Sequence, residues 1–163
     1  MPGRASGTLA SVQGIPNPLP VTIVLPDDWH PELQSDETAD DSDKTFTVPA
    51  LTEWQLLSIW VEYTSTATVG DRQLVIELQD AANDVIGQIR IGLIQPESLT
   101  YYYQIGPSLA DLDAVRDADW VMTPMPPTWV LAAGWQVRVY DNAAIAAAAD
   151  DMIVQMMIAE RTV

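Results

Sequence analysis

RQLVIELQDAANDVIGQIRIGL, residues 72–93, decides the fold class. Leu74, Ile76 and Leu78 alternate with Gln73, Glu77 and Gln79, the period-2 pattern of a strand with one wet face. Asp80-Ala81-Ala82-Asn83-Asp84 follows, a polar turn. Val85, Ile89, Ile91 and Leu93 then share a face. Two alternating runs around a short polar turn predict an antiparallel hairpin.

Working outward, the same period recurs. Thr45–Val48 reads as a short strand stopped by Pro49, and Gln55–Ser65 places Leu57, Ile59, Val61 and Tyr63 on one face. Leu99–Ile105 sets Leu99, Tyr101, Tyr103 and Ile105 on one side and Tyr102 on the other. Trp120–Met122 is a short apolar piece before Pro124, Pro126 and Pro127. Trp129–Leu131 and Trp135–Tyr140 read as a second hairpin with Gly134 in its turn. Ala143–Ala149 reads as a short helix or packed loop, and Met152–Ala159 as the last strand. No long amphipathic helix interrupts these runs. The expected fold is all-β: an antiparallel sandwich or jelly roll of about eight strands over residues 45–163.

Residues 1–44 read differently, as an extended Pro-rich and acidic N-terminal arm. Gly14–Pro20 carries three prolines and suits polyproline-like chain. Val21-Thr22-Ile23-Val24-Leu25 is a strand-sized apolar run ended by Pro26. Docked on a neighbour, it would contribute Val21, Ile23 and Leu25. Eight acids then fall in residues 27–43 without a Lys or Arg, which reads as a solvated, self-repelling linker.

Composition narrows function. The chain has 163 residues, 23 acids against 7 Lys and Arg, a formal charge of −16, one His and no Cys. Such charge opposes binding to nucleic acid phosphates or anionic lipid. Zero Cys removes thiolate chemistry and Cys-ligated metal, and His30 alone makes no His cluster. A hydrophobic content of 48% implies a packed core. No secretory leader or membrane-length apolar run is legible. No nucleophile elbow, phosphate loop or zinc-protease spacing occurs. Asp40-Asp41-Ser42-Asp43 lacks the Gly and closing Glu of a calcium loop and reads as solvated charge. Neither an enzyme nor a cofactor is expected.

Two strands read as apolar on both faces. Trp54, Leu56 and Trp60 lie opposite Leu57, Ile59 and Val61, while Ile153 and Met157 lie opposite Met152, Val154, Met156 and Ile158. A second cover is required. The arm, the Ala-rich segment or the Pro124–Pro127 loop supplies it within the monomer, or another subunit does. The second case makes Trp54, Leu56, Trp60, Ile153 and Met157 subunit-interface candidates, since aromatics and Met are enriched in interface cores.

The stretches Val48–Glu62, Gly70–Ile76, Leu131–Asp141 and Ala149–Met156 resemble small β-rich virion proteins of tailed bacteriophages, of the capsid decoration or cement type. The resemblance covers about residues 45–163. It implies a homotrimer on the outer capsid surface that clamps the major capsid protein and stabilises the head, made in a host cytoplasm and residing in the virion. It carries no catalytic residues. A glycan-binding head-fibre, tail or neck module is the alternative, because six Trp and five Tyr on a sandwich can offer rings to sugars.

Overall fold

The computed structural model describes residues 28–109, 117–143 and 145–163. Val21, Ile23 and Leu25 lie outside them. Among the described residues the chain forms ten strands: β1 His30–Asp36, β2 Asp43–Thr47, β3 Thr52–Thr64, β4 Leu74–Gln79, β5 Val85–Arg90, β6 Thr100–Pro107, β7 Trp120–Met125, β8 Val130–Leu131, β9 Gln136–Asp141 and β10 Asp151–Thr162. They make a β-sandwich. One sheet runs β1-β10-β3-β6-β7 with β8 also on β3; the other runs β2-β9-β4-β5. All pairings are antiparallel except β6–β7.

The expected hairpin is present as β4–β5, with Val75 opposite Arg90 and Glu77 opposite Gln88. Leu74, Ile76 and Leu78 point inward with Val137 and Val139 of β9 and Phe46 of β2. They meet Ile59, Val61, Tyr103, Ile105, Met152, Val154, Met156 and Ile158 of the larger sheet. Burial of these aliphatic and aromatic side chains is the main favourable term in holding the sheets together.

Three sequence expectations change. First, β3 is not apolar on both faces. Its register against β10 passes from Met157↔Ser58 to Ile158↔Leu56, leaving Leu57 as an extra residue. That bulge switches the alternation. Thr52, Trp54 and Leu56 face the core before it, and Ile59, Val61 and Tyr63 after it. Trp54 and Leu56, named as interface candidates, are therefore core residues, and the Trp54 indole donates to Glu160 Oε2 at 2.8 Å.

Second, residues 28–43 are not simply a linker. His30–Asp36 pairs with β10 along its whole length. The acids there are met by cations from elsewhere. Lys44, nearly buried, donates to Asp40 Oδ1 and the Thr38 carbonyl, each at 2.7 Å, with Asp41 at 3.3 Å and Asp36 at 3.7 Å. Arg138 holds Asp43, and Arg161 holds Asp28 at 3.5 Å.

Third, Trp129–Leu131 and Trp135–Tyr140 do not pair with each other. β8 joins β3 in one sheet and β9 joins β2 and β4 in the other. The turn at Gly134, with φ of 80°, is an arch between sheets. Of the two readings of the Ala-rich segment, its described residues 145–149 take the loop, as turns.

One end of the sandwich is closed by a buried ion pair. Arg72 and Asp150 are both inaccessible to solvent, and Arg72 Nε and Nη2 donate to the two Asp150 oxygens. Thr66 donates to Asp150 Oδ1 from N–H and hydroxyl, each at 2.7 Å, and the Tyr63 hydroxyl donates to Oδ2 at 3.1 Å. Burial opposes the charged carboxylate, but these donors outweigh it and hold Asp150 below the usual aspartate range. Burial first, then the charges of Asp141 and Asp150, pushes Tyr63 up.

Candidate interaction surface

The outer face of each sheet follows from strand alternation. On the four-stranded sheet it is mostly polar and held by its own hydrogen bonds, with Val85 and Ile86 of β5 exposed at its edge. Glu77 of β4 accepts from Gln79 and Gln88 at 2.8 Å each and from the Tyr140 hydroxyl at 3.1 Å. Arg90 donates to Gln88 and Asn142, and Arg138 to Asp43 with its guanidinium also over the Tyr140 ring. Burial, then the hydrogen bond to Glu77, raises the Tyr140 hydroxyl. The hydrogen bond to Asp43 raises Arg138.

The outer face of the six-stranded sheet sets apolar side chains among polar ones such as Ser58, Glu62, Gln104 and Gln155. In-register rows place Leu33 beside Met157, and Ile153 beside Glu62 and Tyr102. Leu33 is 50% exposed, Met157 40% and Trp120 39%. Trp60, Tyr102 and Trp120 come from β3, β6 and β7 and form a ring ladder. Trp60 and Tyr102 lie 6.3 Å apart at 23°, and Tyr102 and Trp120 lie 5.2 Å apart at 28°. Such separations make slipped stacks, with ring faces turned toward one another. The two tryptophans flank Tyr102, so its faces are engaged within the ladder rather than laid open as a sugar platform.

Beside the ladder is a groove of about 420 Å³ lined by Gln55, Leu57, Ser58, Gln104, Gly106, Leu109 and Pro127 among others. The β3 bulge forms part of its floor. Gln104 lies in register with Trp60, so groove and ladder adjoin. A Cβ at Gly106 would stand 3.4 Å from Leu109 and 3.8 Å from Ser58, so glycine keeps this floor low.

Of the five interface candidates, the fold gathers Trp60, Ile153 and Met157 on this outer face and sends Trp54 and Leu56 inward. Tyr102, Trp120 and Leu33 complete the face and were not singled out as interface residues. Outward parity signalled Tyr102. The parallel β6–β7 pairing that brings Trp120 to it leaves no local trace. His30 lies on the edge strand, exposed, 3.9 Å from Glu160. Among the described residues no group of three or more His, Asp or Glu is placed to hold a metal ion. No helix there is long and apolar enough to cross a membrane.

No protein-family model matches the chain, and no curated protein matches it. Solved structures with some likeness include an arabinose-bound α-L-arabinofuranosidase, at a TM-score of 0.34 and 11% identity over 83% of this chain and 23% of that one. Turnip yellow mosaic virus gives a TM-score of 0.31 and 13% identity over 98% and 90% of the two chains. The Gx strain of infectious bursal disease virus gives 0.31 and 10% over 82% and 37%. This chain thus spans under a quarter of the arabinofuranosidase and just over a third of the bursal disease virus chain. Two of the three are virus structures, and likenesses this slight carry neither fold nor function over to this chain.

Proposed function

We propose that this protein is a structural component of a virion, a capsid decoration protein that assembles as a homotrimer through the outer face of its six-stranded sheet and stabilises the head. The observation that carries the reading is the contrast between the faces: one outer face is largely held by its own hydrogen bonds, with apolar exposure at its β5 edge, while the other sets exposed Leu33 and Met157 and the half-buried Trp60 and Tyr102 across its middle strands and edge. A face that carries large apolar and aromatic side chains on a strongly acidic chain is a surface suited to a protein partner. The sandwich crosses between sheets at β1–β2, β2–β3, β3–β4, β5–β6, β8–β9 and β9–β10. That wrapping supports the jelly-roll form of the fold. Many identical contacts on a shell add up, so a trimer bridging capsid subunits resists outward pressure without any single strong bond. The charge of −16 keeps decorated particles dispersed.

The test is direct. Capsids of the encoding virus, stripped of this chain, are heated with and without the purified protein, and the DNA-release temperature is read. A rise with the parent protein and none with Trp60→Glu is expected. No rise with the parent, together with binding to host glycan that Tyr102→Ala abolishes, would favour the glycan-binding head-fibre or tail module instead.

A further inference from the structure

The groove beside the ladder has an occupant in this same chain. We propose that Val21–Leu25 docks in it as an extended strap, setting Val21, Ile23 and Leu25 against Leu57, Leu109 and Pro127.

The path of the described chain leads there. β1 runs antiparallel to β10, with His30 opposite Glu160, so the residues before His30 leave at the Trp54 end of the sheet. There they are held against Arg161: the Trp29 ring lies 4.8 Å from its guanidinium and Asp28 pairs with it at 3.5 Å. Arg161 has the parity of Met157 and Ala159, the outer face of β10. It reaches across to Glu53 of β3, donating at 2.8 Å from Nε. The chain at Asp28 is therefore already on the outer face. The next outward residue along β3 is Gln55, at the groove mouth, about 7 Å beyond Glu53 at the rise of a strand, and β3 lies two strand spacings, about 10 Å, from β1.

Reach and chemistry both fit. Only Pro26 and Asp27 separate Leu25 from Asp28, a span of about 10 Å when extended. In extended chain Val21, Ile23 and Leu25 share one side over about 13 Å, one residue step more than the about 10 Å run of β3 from Gln55 to Ser58. The lining supplies aliphatic and proline surface for those side chains, with Gln55, Gln104 and Ser58 polar groups for a strap's main chain. So short a tether gives the chain's own segment a far higher effective concentration at the groove than any neighbour's. The strap holds whatever the role of the ladder beside it.

A chain without cysteine makes the test clean. In the full-length double variant Ile23→Cys with Leu57→Cys, mild oxidation should give an intrachain disulfide at least tenfold faster than in the control pair Thr8→Cys with Leu57→Cys. Equal rates would overturn the strap. So would a mixture of the two single variants linking between chains as fast as the double variant links within one. Amide exchange gives an independent reading: Ile23→Asp should speed exchange at Ser58 and Gly106 at least fivefold, and unchanged rates there would also overturn it.

Discussion

The two outer faces of one sandwich solve the same problem in opposite ways. On the four-stranded sheet, Glu77 is 5% exposed yet has three donors, so burial there costs little and needs no partner. On the six-stranded sheet rings, Met, Leu and Ile stand among the outward polar residues, and these apolar groups gain free energy when something covers them. The first face is satisfied within the monomer except at its β5 edge, where Val85 and Ile86 stay exposed. The second is unfinished, and its missing layer is the reason for reading the chain as one that works by contact.

Variants can break that contrast. The largest effect is expected where neither face is involved. Asp150→Asn leaves Arg72 as a buried, unmatched charge and should lower unfolding free energy by about 3–5 kcal/mol, read by urea melts, loosening both sheets together. Because the Asp150 pKa lies below that of the unfolded chain, its contribution is complete above about pH 4 and is lost as pH falls through the folded value. The gap between parent and Asp150→Asn should therefore narrow in acid. Next, Trp60→Glu should weaken self-association by about 2–4 kcal/mol, measured by sedimentation, while the urea midpoint of the dissociated chain moves little. Glu77→Ala should do the reverse, costing about 1–3 kcal/mol of stability through the donors it strands, with association unchanged. Smallest is Arg138→Ala, about 0.2–1 kcal/mol, since its pair with Asp43 lies partly in solvent.

Much of the fold is legible because alternation is local. Leu74, Ile76 and Leu78 announce β4, and the turn at Asp80–Asp84 announces its partner. What is not legible comes from distant partners. The bulge at Leu57 exists only in register with β10, so simple alternation from Gln55 to Ser65 puts Leu57 on the wrong face and leaves Trp54 and Leu56 looking exposed. Acids from Asp28 to Asp43 look self-repelling until Lys44, Arg138 and Arg161 are placed among them. Ala132-Ala133-Gly134 turns the chain as a hairpin would, but nothing in those residues says that the next strand joins the other sheet. The site shows the same division. Trp60, Ile153 and Met157 betray themselves by outward parity on β3 and β10, whereas the ladder to Trp120 depends on a parallel pairing across a connection of more than ten residues.

The mass of the protein in solution tests the central claim most directly. Light scattering on the full chain at micromolar concentration should give three times the 17.9 kDa of one copy, falling to a single copy in Trp60→Glu. A parent protein that stays at 17.9 kDa at every concentration, with Trp60 and Met157 open to solvent labels, would contradict it.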